Sequence, residues 1–210
     1  MIYSVKKKGI FFVELIKSII LTTFTAIIVE NTIFSRALGT STLIIVARNR
    51  KNLFGFGLSV TYITAVISIL TYGAVKLFDL NSDTYALYVP LIYTLILGAV
   101  YILTLLSLWR FFPTLFVKIR KYIHISAFNC AVLGSMFLIS KYCETFSDYL
   151  IHGIGTGIGF VLAVYLTAVV YDKIYSEKAP YTFRGYPLLM IYIGILSMAF
   201  WGFSGHTMNY

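Results

Sequence analysis

The sequence predicts an all-α integral membrane protein with six transmembrane helices, arranged as two inverted three-helix repeats, in which helices 1 and 4 are broken into half-helices. Three observations predict this class. Of the 210 residues, 59% are hydrophobic and only 12% are charged, about half the charged fraction of an ordinary soluble domain. Apolar runs recur along the whole chain, and several reach the ~20 residues that cross a bilayer as a helix. Two of these runs are interrupted by polar residues at matching places. The composition excludes an ordinary cytosolic enzyme, a disordered chain and a nucleic-acid-binding protein.

Six apolar runs separated by short, charged connectors give the predicted spans. The runs are continuously apolar rather than alternating, which is typical of helices and not of a β-barrel. No small-residue cleavage site follows the first run, so we expect it to remain as an anchor. The predicted spans are 9–30, 53–77, 86–110, 120–140, 148–172 and 185–204.

The basic residues in the connectors predict an orientation. The formal net charge is +9, and with six crossings most of the basic residues fall on one side of the membrane. The positive-inside rule makes that side cytoplasmic and places both termini outside. The lysine triplet Lys6, Lys7 and Lys8 lies on the other side and favours the opposite orientation.

The first span ends in a polar interruption. Glu30 and Asn31 follow an apolar helix, the interruption continues to Leu38-Gly39, and a second apolar stretch covers 41–47. This pattern predicts a helix, a break that ends at Leu-Gly, and a half-helix.

The fourth span has a matching interruption. It covers 128–134, ends in Leu133-Gly134 and is followed by a half-helix at 135–140. Because the pattern repeats, we interpret the chain as a single membrane domain, 1–210, made of two three-span units, 1–110 and 111–210. An odd number of spans per unit places the units in opposite orientations, an arrangement found in transport folds whose site lies between broken helices.

Glu30, Asn31 and Arg36 form the first candidate site. A carboxylate at a helix break within a membrane is costly unless it is paired, hydrated or protonated, and Arg36 is close enough in sequence to be its partner. The pair predicts a proton or cation pathway, or support for a redox centre. Alternatively, Glu30 only marks a helix end near the membrane surface.

Asn129 and Cys130 are the counterparts in the second half. A cysteine at a break can direct its sulfur towards a metal, although a free cysteine is commonly a small buried hydrophobic residue. The Gly-x-Gly pairs of the chain lack the strand and the Lys-Ser/Thr of a nucleotide loop. Instead, the four-residue spacing of Gly153 with Gly157, and of Gly155 with Gly159, predicts close contacts between helices.

Several longer motifs together resemble a known family. They are Asn129-Cys130-Ala131-Val132-Leu133-Gly134 in the broken fourth helix, Phe183-Arg184-Gly185 before the sixth span, Pro113-Thr114-Leu115 before the fourth span, and the segment 196–205 near the end of the chain. These motifs resemble the Rnf/Nqr family of six-span membrane proteins, and most closely the A subunit of Rnf and the E subunit of Nqr.

The resemblance implies a non-autonomous subunit of an ion-translocating oxidoreductase in a bacterial or archaeal cell membrane, of the ferredoxin:NAD or NADH:quinone type. It implies a homologous six-span partner of opposite topology, together with other subunits of the complex. The two homologous subunits share a [2Fe-2S] cluster, to which each contributes two cysteines, and the cluster relays electrons across the membrane. Four thiolates are the usual ligands of such a cluster.

The resemblance implies that Cys130 is an iron ligand. This chain also differs from the family pattern at several positions. Ser41 stands where the second cysteine is expected, and a serine oxygen is a harder and rarer iron ligand than a thiolate. Leu105 also replaces a glutamate, and His124 a proline. The other residues expected to line the cofactor are Asn129, Leu38, Gly39, Leu133 and Gly134.

Three hypotheses therefore follow from the sequence. The first is an electron-relay subunit whose cluster is held by three cysteines and Ser41, or by an altered set of ligands. The second is a diverged, non-redox scaffold subunit of such a complex, which the serine favours. The third is a small inverted-repeat carrier whose broken helices bind a substrate or an ion directly.

Overall fold

The computed structural model describes residues 17, 19–48, 53–78, 87–175 and 180–204. All regular structure in these ranges is helical. The start of the predicted first span, the lysine triplet and the connector residues 79–86 lie outside the described residues.

Within these ranges the fold consists of eight α-helices, which we number α1 to α8. Short 3-10 turns follow α7, precede α8 and follow α8, and the last five residues of α1, Thr25–Val29, form a π-helical turn. The helices are α1 Ile19–Val29, α2 Thr40–Ala47, α3 Leu53–Phe78, α4 Val89–Phe111, α5 Pro113–Ala127, α6 Cys130–Tyr142, α7 Phe146–Tyr171 and α8 Tyr186–Trp201.

Three of these helices, α3, α4 and α7, are long and apolar enough to cross a membrane. A fourth candidate crossing is the pair α5 and α6, which is bent by 57° at a short break. Helices α1 and α8 are shorter apolar helices. The described residues therefore contain three or four candidate crossings of a multi-pass membrane protein, and the number six stays a prediction.

Helix α5 begins earlier than the sequence predicts. The sequence predicts a fourth span that starts at residue 120, after a connector, whereas the helix starts at Pro113. Proline suits the first turn of a helix because its missing N–H has no partner there in any case. The inward face carries Ile119 and Ile123 at helical spacing, while Lys118 and Arg120 are exposed. An amphipathic helix thus replaces the predicted charged connector.

The second helix break is also shorter than predicted. Only Phe128 and Asn129 are non-helical, so Leu133 and Gly134 lie within α6. The reason is local, since the Asn129 side chain accepts a hydrogen bond from the Ala131 N–H and caps α6. The first break agrees with its prediction, because the chain is non-helical from Glu30 to Gly39.

The two halves of the chain exchange their broken helices, in the sense that each broken helix packs against a long helix of the other half. Helices α3 and α7 pack along each other, α1 and α2 pack against α7, and α5 and α6 pack against α3. The glycines of α7 permit this, as the sequence predicts. A side-chain carbon on Gly157 would lie 2.5 Å from Thr61 Cα of α3, and one on Gly155 would lie 2.6 Å from Ala26 Cβ of α1. Helix α7 therefore lies at the centre of the fold, where it packs closely against α3 and against α1 and α2.

Candidate functional site

The two helix breaks meet at Cys130. This residue begins α6, and its Sγ accepts a hydrogen bond from the backbone N–H of Gly39, at 3.0 Å. Gly39 immediately precedes α2 and has a φ of +81°, which favours glycine. A side-chain carbon at Gly39 would lie 2.7 Å from Asn129 Oδ1. The start of α2 therefore contacts the start of α6 only because residue 39 has no side chain.

Most of the predicted cofactor residues lie at this junction. Gly134 packs against the side chain of Leu38, so the two Leu-Gly motifs touch each other. Leu133 instead packs against a separate core cluster that includes residues of α4 and α5. It therefore supports the helices around the junction and does not contribute to the contact between the breaks.

Cys130 and Ser41 are both exposed near the starts of their half-helices. Cys130 is the first residue of α6, and Ser41 is the second residue of α2. The start of a helix carries a partial positive charge. The junction thus presents an accessible sulfur and a hydroxyl group near two positive helix ends.

This junction offers one sulfur and one hydroxyl oxygen as donors for the iron-sulfur cluster that the resemblance implies. Across the described residues, no group of three or more His, Cys, Asp and Glu side chains could hold a metal. A [2Fe-2S] cluster takes four ligands, so this part of the chain cannot complete the set. Cys130 offers one thiolate, which already accepts an N–H, and Ser41 offers an oxygen. The buried Nδ2 of Asn129 has no hydrogen-bond partner in the described structure, and it adds positive partial charge beside Cys130.

Asn31 stabilises the first break. Its side chain is buried, and its Oδ1 accepts hydrogen bonds from the N–H groups of Ile33 and Phe34. Its Nδ2 donates to the carbonyl of Ile27 within α1 and, at 2.8 Å, to the carbonyl of Gly159 in α7. Asn31 therefore replaces the missing helical hydrogen bonds and ties the break to the central helix.

Glu30 pairs with a residue that sequence reasoning did not select. Its Oε2 lies 3.6 Å from Nδ1 of His152 in α7. Arg36, the expected partner, is exposed. The prediction of a Glu30–Arg36 pair is therefore wrong, because the break runs along α7 and brings the carboxylate to that helix. The sequence signal for this contact was the glycine spacing of α7. His152 lies on the same helix face as Gly155 and Gly159, and this spacing predicts that the face packs against another helix.

Cys143 lies in the connector between α6 and α7, apart from the junction, and is buried. Burial, followed by the negative charges of Asp148 and Glu30, raises the pKa of its thiol from 9.0 to about 12. The thiol therefore stays protonated and unreactive near neutral pH.

His124 lies near the end of α5 and pairs with α4. Its Nδ1 lies 2.6 Å from the hydroxyl oxygen of Tyr101, whose ring also contacts Phe128 edge to face. His124 is therefore a hydrogen-bonded helix histidine. The pair fixes the end of α5 just before the Asn129 cap.

Comparisons with known proteins agree with this architecture. The model of the Rnf-Nqr family, described as "Rnf-Nqr subunit, membrane protein", matches residues 19–207. The A subunit of the Na(+)-translocating ferredoxin:NAD(+) oxidoreductase complex of Acetobacterium woodii is 28% identical over 181 residues, which cover 86% of this chain and 94% of that protein. The E subunit of the Na(+)-translocating NADH-quinone reductase of Proteus mirabilis is 27% identical over 190 residues, covering 86% and 93%. The A subunit of the ion-translocating oxidoreductase complex of Vibrio campbellii is 27% identical over 179 residues, covering 85% and 93%. The chain belongs to the Rnf-Nqr family of membrane subunits.

Proposed function

We propose that this chain is a membrane subunit of an ion-translocating oxidoreductase complex of the Rnf/Nqr type. In this proposal it relays electrons across the membrane through a [2Fe-2S] cluster shared with a homologous partner. The observation that carries the proposal is the contact between the Gly39 N–H and Cys130 Sγ, because it brings both breaks to one exposed sulfur. The names of the related oxidoreductase subunits support it.

Each residue at the junction has a role in this proposal. Cys130 would hold iron through its thiolate, and Ser41 would offer an oxygen as the second ligand from this chain. When bound, the cluster supplies one-electron transfer. The Gly39 N–H donates to the sulfur and stabilises its negative charge. The Asn129 cap fixes where α6 begins, and so fixes the position of Cys130.

A partner of opposite topology would complete the set of ligands. The exchange of broken helices between the two halves supports an inverted repeat, since α1 and α2 relate to α7 as α5 and α6 relate to α3. A six-span chain with this internal repeat presents equivalent surfaces in both membrane orientations. A homologous chain inserted the other way round could therefore place its own cysteines beside Cys130. The excess of basic residues predicted on one side supports termini on the outside.

Glu30, Asn31 and Arg36 form the ion pathway in this proposal. Glu30 is the carboxylate at the break, and Asn31 holds the backbone beside it. Arg36 is exposed in the later part of the break. Movement of a cation past a carboxylate at a break within the membrane avoids the cost of an unpaired charge in lipid.

A diverged scaffold subunit without a redox centre is the second candidate. Ser41 favours it, because this chain provides only one thiolate at the described junction. In that case Cys130 would serve only to join α6 to the first break through its N–H···S contact.

Iron analysis of the complex distinguishes the two candidates. The complex would be purified anaerobically with its partner subunits, and its iron content and EPR spectrum recorded after reduction. Cys130→Ala should abolish the signal of the shared cluster, and Ser41→Cys should retain the iron and shift the signal. Cys143→Ser is the matched control, because this cysteine is buried in a connector, and it should change neither.

Two outcomes would contradict the electron-relay function. The absence of reducible iron at the subunit pair would leave the scaffold as the function. A cluster signal that survives in Cys130→Ala would show that the ligand assignment is wrong.

A further inference from the structure

The Glu30–His152 contact is fixed by the packing of α1 on α7. Glu30 follows the π-helical turn at the end of α1, which lies directly on the glycines of α7. His152 lies three residues before Gly155, so it belongs to the face of α7 that meets α1. The hydrogen bond from Asn31 to the Gly159 carbonyl holds the next residue of the break against the same helix. The backbones of Glu30 and His152 are therefore held next to each other.

Both side chains are largely withdrawn from the surface. His152 is 14% exposed and Glu30 is 30% exposed, and Nδ1 and Oε2 lie 3.6 Å apart. A single proton on either group gives the pair a net charge of zero, as carboxylate with imidazolium or as carboxylic acid with neutral imidazole. Loss of that proton leaves a net charge of −1, and a second proton gives +1, both of which are costly in a membrane.

Asp148 lies between His152 and the start of α7 along the helix. It is in the first turn of α7, four residues before His152, and it is partly exposed. Residues four apart share a helix face. The negative charges of Asp148 and Glu30 both raise the pKa of the buried Cys143 thiol, which precedes α7.

Two lysines lie on helices that pack against α7: Lys76 of α3 lines a small cavity with Cys143 and Glu144, and Lys141 lies in the last turn of α6. Helix α8, which also packs against the end of α1, carries only the tyrosines Tyr186 and Tyr192 as titratable groups. The hydroxyl of Tyr192 donates to the Leu166 carbonyl, and Tyr186 is exposed. Arg36, in the break itself, is also exposed.

From this arrangement we propose that Glu30 and His152 form a proton-binding pair at the first helix break, and that Asp148 exchanges this proton with water. A small rotation of either side chain brings Nδ1 and Oε2 to hydrogen-bond distance. The proton then passes between them as one N–H bond breaks and one O–H bond forms. The inference deepens the ion pathway of the proposed function and rests on it for its role in the complex.

Nitrogen-15 NMR of the full-length chain in lipid nanodiscs tests the pair directly. The sequence has three histidines, and the imidazole ¹⁵N shifts distinguish protonated from neutral rings. At about pH 7, Glu30→Gln should lower the protonated-to-neutral ratio of His152, because the pair then loses one of the two groups that share its proton. Asp148→Asn should slow the exchange of the His152 proton with water about tenfold.

Matched controls keep the test specific. Glu144→Gln removes an exposed carboxylate at the same end of α7 and should change neither quantity. The His124 signal, which reports the contact with Tyr101, should stay unchanged in every variant that folds. The His152 signals should also persist in Cys130→Ala, so the result does not depend on whether a cluster is bound.

A dipolar coupling between ¹⁵Nδ1 of His152 and ¹³Cδ of Glu30 in the unmodified protein measures the contact without any substitution. Loss of this coupling, or an unchanged His152 ratio in Glu30→Gln, would overturn the pair. An unchanged exchange rate in Asp148→Asn would overturn the role of Asp148.

Discussion

Replacement of Asn31 by alanine should strongly destabilise the fold, because this side chain provides hydrogen-bond partners for backbone groups of the first helix break. Its Oδ1 accepts from the backbone N–H groups of Ile33 and Phe34 at 3.1 and 3.3 Å. Both residues are buried, so the substitution would leave two N–H groups without an acceptor. Each such buried donor costs about 1–3 kcal/mol. The free energy of unfolding should therefore fall by about 2–6 kcal/mol, before counting the lost bond from Asn31 to Gly159 in α7.

The assay is thermal unfolding of the purified full-length chain in detergent, followed by intrinsic fluorescence. For a chain of this size, 1 kcal/mol corresponds to about 2–4 °C in Tm, so the expected decrease is about 4–24 °C. Asn129→Ala is the matched control, because Asn129 satisfies a single N–H as the cap of α6, and loss of a cap costs about 1 kcal/mol. Similar decreases in Tm for the two variants would refute the argument that the hydrogen bonds of Asn31 stabilise the first break.

Two further predictions follow from packing and from titration. Gly157→Val should prevent the close contact of α3 and α7, because a side-chain carbon at residue 157 would lie 2.5 Å from Thr61 Cα. Size-exclusion chromatography should then show a loss of folded monomer, whereas Gly98→Ala, with nothing within 4 Å of the added carbon, should behave as the unmodified chain. Wild-type elution of Gly157→Val would contradict this contact. Burial and two nearby carboxylates raise the pKa of Cys143 to about 12, so in the iron-free chain a maleimide at about pH 8 should label the exposed Cys130 at least ~100-fold faster. Because the pKa is raised on folding, the thiol's contribution to stability is complete below about pH 9 and is lost as the pH rises towards 12. Mass spectrometry of the labelled chain checks the rates, and equal labelling of the two cysteines would refute the burial argument.

The first helix break can be predicted from the sequence because its signals are local. A carboxylate and an amide follow an apolar helix, and the break ends at Gly39, whose positive φ favours glycine. The glycine spacing of α7 is equally informative, since small residues four apart allow helices to approach closely. The signals of both features can be read from residues that are close together in the sequence.

The predicted and observed structures differ where the sequence pattern is compatible with more than one local structure or contact. The sequence predicts too long a second break, because one capping residue, Asn129, is enough to restart the helix. It predicts too late a start for α5, because the basic residues of this helix resemble a connector although its inner face packs on α3 and α4. The predicted partner of Glu30 is wrong because His152 lies in the other half of the chain, and proximity in sequence favours Arg36.

The exchange of broken helices between the halves has a consequence for the order of synthesis. Helices α1 and α2 are translated early, yet the helix that they pack against, α7, begins only at Phe146. Until α7 leaves the ribosome, Asn31 lacks its acceptor at Gly159. The face of α3 that packs on α7 is also uncovered until then. The first half therefore matures only after most of the second half has been inserted. Truncated chains that end before α7 would expose an unfinished break to membrane proteases, so insertion of α7 is the step that commits the nascent protein to its fold.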